Sequence, residues 1–204
     1  MRSRRSILGN PWVWAFFVGI ALVTASRPLL RFDPPPPPVI ARVPEFRVLD
    51  QRGEPFGSEQ LRGQVYVAGF FFTRCRTICP LLIGALGRLE ERLLRENFED
   101  VRIVTFTVDP EHDTPELLAA FGAERGIDPA RWALLSGTVE ELEALLFEGF
   151  KVPMGPRQEV ADELIDIAHS GKLVLVDRSG GVRGYYSTDA EGMDELFHRA
   201  RRLR

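Results

Sequence analysis

Residues 65–80 constrain this chain more than any other stretch. Val65-Tyr66-Val67-Ala68-Gly69-Phe70-Phe71-Phe72 is an uninterrupted apolar run, which predicts a strand buried on both faces. Thr73-Arg74-Cys75-Arg76-Thr77-Ile78-Cys79-Pro80 follows. Then comes a helical pattern from Leu81 to Glu96, with apolar residues at 82, 86, 89 and 93. The only two cysteines of the chain therefore stand where a buried strand turns into a helix. Helix-start N–H groups are unpaired and favour a thiolate there. Positions i and i+4 of a helical turn share a face, with Cα atoms roughly 6 Å apart. Cys75 and Cys79 are thus expected side by side, able to bind one metal ion or to close a disulfide. The alternative is two buried cysteines that merely pack.

The flanking segments supply the rest of a sheet. Phe46–Asp50 alternates as a strand, Gln51–Glu54 reads as a turn, and Pro55-Phe56 returns. Val101–Val108 is a second buried strand. Asp113 or Thr114 caps the next helix, which has Pro115 in its first turn and runs to about Arg125. Trp132–Leu135 is a short strand. Thr138–Phe150 is a helix with Thr138 and Glu141 spaced as a capping box. Lys151–Ile165 reads as an irregular loop. Leu173–Asp177, the turn Ser179-Gly180-Gly181 and Val182–Tyr186 form a hairpin, and a last helix runs from about Glu191 to Arg204. Alternating strands and helices predict an α/β domain with a mixed central sheet and flanking helices. A dithiol at a strand-to-helix junction points to a thioredoxin-like fold.

The N-terminus reads differently. Arg2, Arg4 and Arg5 precede an uncharged run, Pro11–Ser26, that predicts an N-terminal transmembrane helix. Its 16 residues span roughly 24 Å as a helix, and Pro28-Leu29-Leu30 would lengthen it toward the 30 Å or so of a hydrocarbon core. The rival is a cleaved signal peptide, with Val23-Thr24-Ala25 as the cleavage region. Either way the basic end stays inside and the domain is exported to the extracytoplasmic (periplasmic or equivalent) side. Pro34–Pro38 predicts a stiff polyproline spacer. The expected organisation is a membrane anchor or signal segment over 1–31, a proline-rich linker over 32–42 and a domain over 43–204. Of 26 basic and 29 acidic residues, five and one fall within 1–39, so the remainder carries 21 against 28, a net of −7. An acidic domain argues against a nucleic-acid partner.

Three histidines remain. His198 lies among arginines in the last helix and reads as solvated surface. His112, after the second buried strand, reads as a loop residue beside a helix cap. His169 precedes the hairpin; with two thiolates it makes a soft three-ligand set suited to copper, whereas zinc would want a fourth ligand or a water.

These segments resemble, in order, those of the SCO/SenC copper-binding proteins. The likeness covers roughly residues 44–204. It rests on Phe72–Pro80, similar to that family's C-x-x-x-C-P signature, and on Val108-Asp109-Pro110-Glu111-His112-Asp113-Thr114-Pro115-Glu116. It rests also on Trp132–Gly137 and on His169-Ser170 before Leu173–Asp177. The resemblance implies a copper chaperone that delivers copper to, or reduces the cysteines of, the binuclear copper site of cytochrome c oxidase. It implies Cys75, Cys79 and His169 as copper ligands and Cys75–Cys79 as a redox disulfide. The implied partners are the copper-bearing oxidase subunit, an upstream copper donor, an exported thiol reductase and the membrane. Two positions depart from the pattern: Arg76 where many members have proline, and Ala168 where some have an aspartate that would orient the imidazole. The competing functions are a membrane-tethered thiol–disulfide oxidoreductase, which would generally use two intervening residues rather than three, and a copper or redox sensor.

Overall fold

A computed structural model describes residues 10–26, 37–98, 100–152, 157–161, 164–167 and 171–204. The chain divides into two units between Pro35 and Pro36.

The first unit contains α1 (Pro11–Ser26). Asn10 starts it, its side-chain oxygen accepting from the Trp12 N–H at 3.1 Å. Its large apolar side chains, Trp12, Phe16 and Leu22 among them, are exposed. Among the described residues no helix is long and apolar enough to cross a membrane. The expected extension through Leu30 lies outside them.

The second unit is built on β1 (Ala41–Arg42), β2 (Arg47–Asp50), β3 (Pro55–Gly57), β4 (Val65–Phe71), β5 (Val101–Thr107), β6 (Trp132–Ser136), β7 (Arg157–Ala161), β8 (Leu164–Ile167), β9 (Leu173–Val176) and β10 (Gly181–Tyr186). The helices are α2 (Ser58–Leu61), α3 (Cys79–Arg95), α4 (Pro115–Glu124), α5 (Val139–Ala144) and α6 (Ala190–Arg202). Eight strands form one sheet in the order β1-β10-β9-β4-β5-β6-β2-β3. Among the described residues only β4, β5 and β6 pair in parallel. The remaining pairs are antiparallel, so the sheet is mixed as expected.

All seven residues of β4 are buried, as an apolar run without alternation requires. The crossovers β4-α3-β5 and β5-α4-β6 step in one direction, so the right-handed rule places α3 and α4 on one face. Two contacts agree with this. A Cβ on Gly69 would lie 3.4 Å from Leu86 of α3, and Phe71 meets Phe121 of α4 with ring centroids 5.3 Å apart. Gly69 is therefore a site of close helix–sheet approach, with Thr105 and Leu173 also within 3.3 Å of that added atom. The other face holds Phe70, Phe106 and Phe150, whose rings meet at 5.3–6.2 Å. Phe150 follows a π-helical turn, Leu145–Gly149, that continues α5.

The segment read as an irregular loop differs. Arg157–Ala161 and Leu164–Ile167 pair as an antiparallel hairpin, a small second sheet. Pro153, Gly155 and Pro156 masked this in the sequence, although Val160, Leu164 and Ile165 have strand character. His169 and Ala168 lie outside the described residues. On β10, beside the edge strand β1, Arg183 reaches two partners, the Asp177 carboxylate at 2.5 Å and the Pro37 carbonyl at 2.6 Å.

Candidate metal centre

The parallel strands β4, β5 and β6 all end at one edge of the sheet, where α/β folds gather their reactive groups. Three segments meet there: Phe72–Ile78 after β4, Val108–Thr114 after β5, and Gly137-Thr138 after β6. Both cysteines lie in or beside the first.

Their placement corrects one expectation. Cys75 is not on the helix. It closes a turn, its N–H donating to the Phe72 carbonyl at 3.2 Å. Cys79 is the first residue of α3, with Ile78 as N-cap and Pro80 in the first turn. Three intervening residues thus form a loop that folds back on the helix start, and the sulfurs meet across it. Cys79, through its thiol and backbone N–H, and Thr77, through its hydroxyl and N–H, favour the ionised form of the Cys75 sulfur. The Thr77 hydroxyl is 3.6 Å from that sulfur. Both cysteines are free thiols.

The two thiols are electrostatically unlike. Burial alone would raise Cys75, but the donors from Cys79 and Thr77 outweigh it and pull the thiol below its usual range. Cys79 is pushed well up, first by burial and then because its proton is committed to Cys75. Cys79 is buried and Cys75 only partly so. The outward sulfur is therefore the more readily ionised one, held over the N–H groups of a helix start.

A buried polar network supports the loop from below. Arg74 donates to one oxygen of Asp109 through Nη2 at 2.5 Å and Nε at 3.2 Å. The Asp113 carboxylate receives the Thr73 N–H at 3.0 Å, the Thr73 hydroxyl at 2.5 Å and the Thr107 hydroxyl at 2.5 Å. Sequence reasoning saw Asp113 only as one of two candidate helix caps. Thr114 takes that role, accepting from the Leu117 N–H, and Asp113 turns inward instead. Two aspartates in the residues directly after an apolar strand were the available signal.

Two soft sulfurs at a partly open mouth suit a soft metal such as copper(I). Among the described residues no group of three or more His, Cys, Asp or Glu side chains comes together as a metal set. His169, the expected third ligand, lies outside those residues. His112 sits in the turn after β5, its N–H on the Asp109 carbonyl at 3.1 Å. His198 is exposed on α6, 3.5 Å from Asp194.

Comparison with known proteins identifies the family. The SCO1/SenC family model matches residues 37–203. A SCO1 protein homolog of Bacillus subtilis is 34% identical over 162 residues, covering 78% of this chain and 81% of that protein. BsSco, solved as a Sco-family cytochrome c oxidase assembly protein with a disulfide switch, superposes with a TM-score of 0.68 at 31% identity, covering 82% and 97% of the two chains. ScoI of Bradyrhizobium japonicum, solved with copper bound, superposes with a TM-score of 0.69 at 22% identity, covering 80% and 100%, a likeness of fold. With most of its length matched and the dithiol at the sheet edge, the chain belongs to the SCO1/SenC family.

Proposed function

We propose that this protein is a copper chaperone in the assembly of cytochrome c oxidase, with Cys75, Cys79 and His169 as the ligands of the copper it carries. The carrying observation is the reduced pair of thiols at the two ends of the Cys75–Cys79 loop, near enough to shift each other's ionisation, one partly exposed and one buried. Such a pair needs little rearrangement to hold a soft ion, and the open side of Cys75 lets the ion enter and leave. Family membership supports the oxidase as destination, with its copper-bearing subunit as recipient, an upstream donor and an exported thiol reductase.

The test is metal stoichiometry. Reduced protein should bind one copper ion per chain. Cys75→Ser, Cys79→Ser and His169→Ala should each weaken binding strongly, while His112→Ala and His198→Ala should not. Equal loss at His112 with none at His169 would overturn the ligand set.

A second reading, a thiol–disulfide reductase acting on the oxidase cysteines, draws on the unlike thiols. A readily ionised outer sulfur and a protonated inner one suit attack followed by resolution. Insulin reduction without copper retention would favour it.

For location, the reading is a single-pass anchor with the domain on the extracytoplasmic side. The basic residues at 2, 4 and 5 and a helix that is apolar all round support it. The full chain should fractionate with membranes and resist a high-salt wash.

A further inference from the structure

Asp113 is fully buried. Burying a carboxylate is unfavourable unless donors offset the loss of water. Here three do, and two of them come from one residue, Thr73. Thr73 is thus held by backbone and side chain together. It lies two residues before Cys75, inside the turn closed by the Cys75 N–H on Phe72. The backbone of Asp113 is fixed as well. Its N–H donates to the Asp109 carbonyl at 2.9 Å, and its carbonyl accepts from the Ser136 hydroxyl at 2.9 Å. One residue thus fastens the ends of β4, β5 and β6 and carries the cysteine turn on top.

We infer that Asp113 is a positioning residue for the dithiol: through Thr73 it holds the turn that keeps Cys75 over Cys79 at the start of α3. The inference deepens the proposed function, and its copper consequence rests on that function. Its geometric consequence does not. Without the carboxylate, the Thr73 N–H and the two hydroxyls lose their common acceptor, and the turn is released from the sheet. The sulfurs then meet less often.

The test uses the full-length protein equilibrated with glutathione. Cys75 and Cys79 give up two electrons and two protons to form one S–S bond, while one glutathione disulfide becomes two thiols. The fraction bridged reports how well the sulfurs are held together. Asp113→Asn keeps the shape but turns an NH2 group toward the donors. It should shift the equilibrium roughly tenfold toward the dithiol, the worth of about one charge-assisted hydrogen bond. Thr73→Val, which loses only the hydroxyl, should shift it the same way by less, and it carries the test if Asp113→Asn does not fold. Thr73→Ser keeps both donors and should leave it unchanged. Asp177→Asn is the control, a buried carboxylate that likewise accepts several donors, in the turn between β9 and β10. It should lower thermal stability without moving the equilibrium. Copper(I) competition against a chelator should weaken in Asp113→Asn alongside the glutathione shift. If Asp113→Asn and Thr73→Val match the unsubstituted protein, or if Asp177→Asn moves the equilibrium as far, Asp113 is structural only and the inference fails. A protein that binds no copper at all would refute the proposed function and leave the glutathione result to decide this one.

Discussion

Arg74→Ala tests how the cysteine loop is tied to the domain. The Asp109 side chain is fully buried, while that of Arg74 is 28% exposed. Removing the guanidinium takes from the buried carboxylate the cation that Arg74 supplies. Breaking a buried ion pair from one side costs on the order of 3–5 kcal/mol. The partial exposure of Arg74, which screens the pair, argues for the lower end, about 3 kcal/mol. For a domain of this size each kcal/mol lowers Tm by about 2–4 °C, so the loss should be about 6–12 °C. Circular dichroism of the full-length protein on heating reads it directly. Arg62→Ala is the comparison, since its ion pair with Glu45 at 3.3 Å is exposed on both sides, 67% and 87%. It should change stability by less than about 1 kcal/mol. Adding Asp109→Asn to Arg74→Ala should recover part of the loss, because the buried charge that Arg74 offset is then gone. Equal shifts for Arg74→Ala and Arg62→Ala, or no recovery in the double variant, would refute the reasoning.

Three further outcomes follow from the same geometry. Iodoacetamide near neutral pH should label Cys75 well before Cys79, because hydrogen bonds lower the first thiol while burial raises the second; peptide mass mapping that finds Cys79 modified first would contradict this. A preformed Cys75–Cys79 disulfide should abolish copper binding and reductant should restore it, since both processes claim the same sulfurs; a bridged form that binds as tightly places the ligands elsewhere. Asp177 and Asp50 are held below the usual carboxylate range: burial raises both, but the hydrogen bonds of Ser179, Gly181 and Arg183 on one, and of Arg52 on the other, outweigh it. A lowered folded value means the contribution is complete above about pH 4 and is lost as pH falls through that lower value, so acid melts should show Asp177→Asn losing less than the unsubstituted protein.

Local pattern alone determined much of this protein. A short apolar run without alternation, rich in Val and aromatic residues, reads as a strand covered on both faces, and β4 is one. The Thr138–Glu141 capping box formed as its spacing requires, each side chain bonding the other's backbone N–H. The position of the cysteines between strand and helix, and with it the fold class, was legible for the same reason: these are properties of neighbours along the chain. What tertiary structure decided concerns partners far apart in sequence. Cys75 meets Cys79 because a loop folds back, not because a helix spaces them. Asp113 abandons the cap it was suited for because Thr73, forty residues earlier, offers it two donors. No window of sequence contains that pairing. It exists only once β4 and β5 lie side by side, in a register that puts Phe71 opposite Thr107 and so brings the two strand ends together.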